Sequence, residues 1–181
     1  DRRYLWAGGL DDSAIFVFDV GSDPAHPKLV RTMTDFVAKT GGVVGPHTFY
    51  ALPGRMLISD LSNAEDFGGR TGIAEFANDG GFVRTDWMPK GAEYGYDARV
   101  NPNLNRLLTS SFAGHQNYMR KLPELMKDAE AMKHFGSTMV VWDFHALKPL
   151  QTLAVPGAAL ELRWALGPLH EYAFTAAALT A

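Results

Sequence analysis

The sequence predicts an all-β fold, a segment of a β-propeller with three to four four-stranded blades and one inserted helix. Three observations predict it. Long helical periodicity is scarce, and short β-rich runs punctuated by Gly, Pro, Asn and Asp dominate. Those runs repeat as two alternating hairpin-like units. Together the two units make a meander of roughly 50–60 residues, the size of a propeller blade.

The first element is a strand from Tyr4 to Ala7. It is followed by Ile15 to Val20, a Pro-rich turn and Lys28 to Met33. Residues 1–33 therefore read as the end of one blade. The second blade covers 46–87. His47 to Ala51 turns at Pro53-Gly54 into Arg55 to Ser59, and Gly72 to Ala77 turns at Asn78 to Gly81 into Phe82 to Trp87. The third blade covers 95–155. Tyr96 to Val100 turns at Asn101 to Asn103 into Arg106 to Ser110, and Met139 to Phe144 turns into Pro149 to Ala154. Within it, 122–134 carries Leu122, Leu125, Met126, Ala129 and Met132 at helical spacing, an amphipathic helix that caps the rim or lids the channel. Residues 160–181 start a fourth blade, with Glu161 to Ala165, a turn at Gly167-Pro168 and Glu171 to Thr175. The chain thus reads as an interior piece that begins and ends partway through a blade, completed by the remaining blades of the same protein. A β-sandwich with long loops is the competing reading. Phe16 and Trp142 are expected at equivalent positions, packed between sheets.

Composition narrows function by exclusion. The 181 residues are 46% hydrophobic and 20% charged, with a net charge of -3. That leaves no basic field for nucleic acid. No apolar run is long enough for a membrane span. The chain has no Cys, so this segment holds neither disulfides nor thiolate ligands. It opens at Asp1-Arg2-Arg3 without Met, so the start reads as processed or truncated, with room upstream for a targeting signal.

Chemistry falls on few residues. His47, Asp97 and Glu161 start the predicted innermost strands of adjacent blades, where residues distant in sequence meet at the channel mouth. Neutral imidazole suits a transition metal, which makes His47 the candidate metal ligand. Carboxylates in a channel orient such a ligand, bind cations or exchange protons, which makes Asp97 and Glu161 the candidate catalytic pair. Each also has a plain structural use, as a hydrogen-bond partner at a strand end. His115 stands in a polar loop and His134 at a helix end, where the dipole favours imidazolium. His26, His145 and His170 stand in turns and read as solvent-exposed.

Several runs together resemble the selenium-binding protein family, whose bacterial members include copper-dependent methanethiol oxidases. They are Ile15 to Pro24 with Pro27-Lys28-Leu29, Pro46-His47-Thr48, Gly95-Tyr96-Asp97 with Asn101-Pro102 and Asn105, Gly136-Ser137 with Val141-Trp142-Asp143, Leu150 to Leu153, and Leu160 to Trp164. The resemblance implies a ring of about seven blades. It also implies copper as cofactor, a small thiol as substrate, and a periplasmic location for a bacterial protein of that type or a cytoplasmic one otherwise. Of four family histidine positions, His47 keeps the first. Tyr50 stands near the second, Thr138 at the third and Leu166 at the fourth. Three function classes follow: a copper-dependent thiol oxidase, a binding propeller that has lost the metal histidines, and a metal-dependent lactonase-like hydrolase built on Asp97, Glu161 and His47.

Overall fold

The computed structural model of the chain describes residues 3–167 and 171–178. Among the described residues, thirteen strands form four antiparallel sheets. The first contains β1 (Tyr4–Gly8), β2 (Ile15–Asp19) and β3 (Lys28–Met33). The second runs β4 (Val43–Leu52), β5 (Arg55–Asn63), β6 (Gly72–Ala77) and β7 (Phe82–Trp87). The third runs β8 (Gly95–Asn101), β9 (Arg106–Ser111), β10 (Thr138–Asp143) and β11 (Lys148–Ala154). The fourth pairs β12 (Ala159–Trp164) with β13 (Ala173–Ala177). Ile15–Asp19 and Gly72–Ala77 lie in different sheets, as a blade arrangement requires. The expected His170 turn and the chain end near Leu179 lie outside the described residues.

Burial falls from the centre of a blade to its rim. β5 and β6 are buried on both faces, whereas every residue of β11 is exposed. A strand sandwiched between neighbours needs apolar or small residues throughout, which is why β5 reads Met56 to Ser59 without alternation. Hairpin turns are set locally. Pro53-Gly54 links β4 to β5, and Gly54 takes φ +79°, which the turn demands of its second central residue.

Three apolar seams hold the blades together. Ile15, Val17 and Met33 meet Met56, Ile58, Ala74 and Phe76; Leu57 and Ile73 meet Ala98, Leu107, Val140 and Trp142; Leu108 and Met139 meet Ala159 and Leu162. A register shift recurs where the outer strand joins, at Val17/Phe18, Glu75/Phe76 and Val141/Trp142. Each leaves one residue of the outer strand unpaired: Val30, Val83 and Leu150, each 53% exposed. Bulges on an outer strand twist it and blunt edge-to-edge pairing.

This register corrects one expectation. Trp142 is level with Phe76 and Phe18, not with Phe16, whose counterparts are Ala74 and Val140. Trp142 is fully buried and its indole N–H donates to Thr109 Oγ1 at 3.0 Å, whereas Phe16 is half-buried. A second correction concerns 122–134. In place of one helix there is a single helical turn at Leu122–Leu125, then a 3₁₀ turn at Ala131–His134. Asp128 divides them. Its carboxylate accepts the amides of Glu130 and Ala131, each at 3.1 Å, restarting the chain as a cap would.

Candidate functional site at the inner-strand bulges

All three innermost strands described carry a register shift in the same place: between Pro46 and Thr48, Gly95 and Ala98, and Ala159 and Leu162. A bulge re-aims side chains that regular pairing would alternate. Aligning Arg55 to Ser59 with Arg106 to Ser110 puts His47 level with Tyr96, and Thr48 level with Asp97. Ser59 and Ser110 lock these bulges. Each hydroxyl accepts an amide of its own inner strand, from Thr48 and Asp97 respectively. Each also donates across the seam to a carbonyl of the next inner strand, Tyr96 O and Leu160 O.

His47 is half-buried, and its ring lies on that of Tyr96 with centroids 3.9 Å apart. Its Nδ1 is 3.2 Å from both the Tyr96 carbonyl and Thr48 Oγ1. A carbonyl can only accept, so Nδ1 carries the proton and the Nε2 lone pair is the reactive one. Burial lowers the imidazole pKa below its ordinary value, opposed by the Tyr96 carbonyl and the charges of Asp97 and Glu161. His47 is therefore neutral near pH 7. The Tyr96 phenol pKa is raised, first by burial and then by the charges of Glu161 and Asp97. Phe112 meets the Tyr96 ring edge-on at 5.4 Å, and Phe135 meets Phe112 the same way.

Asp97 does not join this group. It is 1% exposed and its carboxylate is committed to the seam. It accepts the Thr48 hydroxyl at 2.9 Å, the Ala98 amide at 2.9 Å and the Leu162 amide at 2.8 Å. Arg99 and Arg163 reach it at 3.1 and 3.4 Å. Glu161 does join it. Its half-exposed carboxylate pairs with Arg163 at 3.1 Å, and its charge helps raise the pKa of the Tyr96 phenol. The inner strands thus bring His47 and Tyr96 together, with the charge of Glu161 acting on both. Tyr96 was missed by sequence reasoning, although overlaying Pro46-His47-Thr48 on Gly95-Tyr96-Asp97 would have found it.

The segment between β9 and β10 reaches over this end of the molecule. From blade three it passes blade two and meets blade one, where the Tyr118 hydroxyl donates to Leu10 O at 3.2 Å and His115 Nε2 lies 3.7 Å from Asp11. Burial and Asp11 push the Tyr118 phenol pKa up to about 12. His115 also packs on Phe67 of blade two. His26, His134 and His145 are exposed.

The donors of this chain do not by themselves fit a copper centre. Copper favours several imidazoles converging on one point. Among the described residues, no group of three or more His, Cys, Asp or Glu side chains is placed to hold a metal ion. Tyr50 points into the seam, its hydroxyl donating to Val100 O at 3.2 Å. Thr138 opens β10, its amide donating to Ser111 Oγ. Leu166 is 92% exposed.

Antiparallel meanders packed one on the next, with an imidazole, a phenol and a carboxylate on their inner strands, define a segment of a β-propeller. The chain belongs to the selenium-binding protein family: residues 1–181 match the 56 kDa selenium-binding protein. It is 57% identical to a methanethiol oxidase of Hyphomicrobium sp. and 50% identical to one of Ruegeria pomeroyi. Each alignment covers 99% of this chain, and the chain spans 42% and 44% of those two curated relatives. A hypothetical selenium-binding protein of Sulfolobus tokodaii superposes with TM-score 0.79 at 27% identity, over 92% of this chain and 37% of that one.

Proposed function

We propose that this chain is part of a propeller that oxidises a small thiol, a methanethiol oxidase. The observation that carries this reading is its 57% identity, over nearly its whole length, to a protein of that name. The reaction is methanethiol, oxygen and water giving formaldehyde, sulfide and hydrogen peroxide. Carbon loses its sulfur and is oxidised, and oxygen takes the two electrons. Protein side chains handle oxygen poorly, so a redox metal is required, and copper is the metal proposed. Among the described residues, His47 Nε2 is the imidazole donor proposed for it, with further donors supplied from outside them. Within the chain, the Tyr96 carbonyl and Thr48 hold the imidazole in one tautomer, the Tyr96 ring covers it, and Asp97 fixes the strand that carries Tyr96. The same reading carries a periplasmic location.

The second reading is a binding propeller without this chemistry. It is favoured by Tyr50, Thr138 and Leu166 at the other histidine positions, none of which approaches His47 as a donor. The test is copper content and thiol-dependent oxygen uptake of the full-length protein and its His47→Ala variant. The oxidase reading expects copper in the wild type and loss of both copper and turnover in the variant. Copper and turnover unchanged by the substitution would remove His47 from the site, and wild-type protein without copper or uptake would establish the second reading.

A further inference from the structure

We infer that Tyr96 is a positioning residue: it holds the His47 imidazole in its reactive orientation and walls one face of the ring from water. Two parts of the same residue act on two parts of the imidazole. The Tyr96 carbonyl takes the Nδ1 proton at 3.2 Å, and the Tyr96 ring covers the imidazole face at a centroid distance of 3.9 Å. The ring is itself packed on its edge by Phe112, and the charge of Glu161 acts on its phenol. Glu161 belongs to the next blade, and Phe112 leads into the segment that reaches blade one through Tyr118. His47, from blade two, is therefore oriented by a residue of blade three. A side chain held in this way keeps its rotamer, and small misplacements of reactive groups reduce rates steeply.

The kinetic consequence rests on the thiol-oxidase reading; the structural one does not. In the full-length protein, Tyr96→Leu keeps the backbone carbonyl and removes the ring, whereas Tyr96→Phe keeps the ring and removes the phenol. The exposure of His47 is read as its rate of carbethoxylation by diethyl pyrocarbonate, followed by peptide mass spectrometry. Tyr96→Leu is expected to speed that reaction about tenfold and to lower kcat for methanethiol by about ten- to a hundredfold with little change in KM. Tyr96→Phe is expected to restore the wild-type modification rate and most of kcat. Should the Leu variant fail to fold, Phe112→Leu, which loosens Tyr96 without touching His47, is expected to move both readings the same way by a smaller factor. A wild-type modification rate in both the Tyr96→Leu and Phe112→Leu proteins would overturn the inference, as would faster modification with kcat intact in an active enzyme. If the wild-type protein oxidises no thiol, the oxidase reading fails, and the modification rates alone decide the role of Tyr96.

Discussion

Two buried aspartates sit beside neighbouring seams of this propeller, and their surroundings are opposite. Asp97 has three hydrogen-bond donors and two guanidinium groups within reach. Asp60, on β5, is fully buried, and neither carboxylate oxygen has a hydrogen-bond partner. Burial drives the Asp60 pKa well above the ordinary carboxylate value, opposed by the Ala74 amide. The counterpart of Asp60 in the next blade is Ser111, whose hydroxyl is satisfied by both the amide and the carbonyl of Thr138. The lesson concerns donors rather than depth. One aspartate is an ionic clasp between three inner strands, and the other sits where burial disfavours its charged form.

The comparison can be broken at either end. The largest effect is expected at the clasp. Asp97→Ala strips the partner from Arg99 and leaves the Leu162 amide unmet, and it should lower the stability of the full-length protein by about 3–5 kcal/mol, measured by denaturant unfolding. Asp97→Asn keeps an acceptor for the Leu162 amide and should lose less. A change within about 0.5 kcal/mol for the Ala variant would show that the ion network is decorative.

A smaller effect, of opposite sign, is expected at Asp60. Its folded pKa is raised, so the native state holds the proton that the unfolded chain gives up near 3.8. Its contribution to stability is whole below that value and declines as pH rises toward the raised native pKa. Asp60→Asn removes the titration. It should leave stability at pH 4 nearly unchanged and raise it at pH 7 by about 1 kcal/mol or more, with the gap widening between the two. A gap that does not depend on pH would mean Asp60 is charged in the native protein and has found a partner.

How much of this was legible beforehand follows from what each feature depends on. The meanders and their order are local properties, written in apolar runs, in Pro53-Gly54 and in the acidic strand ends at Asp19 and Asp143. The bulges are not, because a register shift exists only between paired strands. That is why Phe16 was matched to Trp142 in place of Phe18, and why Asp97 was placed in the channel with His47. One extra residue between Gly95 and Ala98 turns Asp97 into the seam and brings Tyr96 level with His47. The helix over 122–134 failed for a nearer reason. Its apolar spacing was real, and Leu125 is buried, but Asp128 satisfies backbone amides more locally than a continuing helix would.

The most direct test of the account is the stoichiometry of the reaction itself. Purified full-length protein is supplied with methanethiol in air-saturated buffer, and oxygen, formaldehyde, sulfide and peroxide are measured together. The account predicts one equivalent of each product per oxygen consumed, with the flux abolished by His47→Ala. Oxygen uptake indistinguishable from buffer, with every product at background in the wild-type protein, would contradict it.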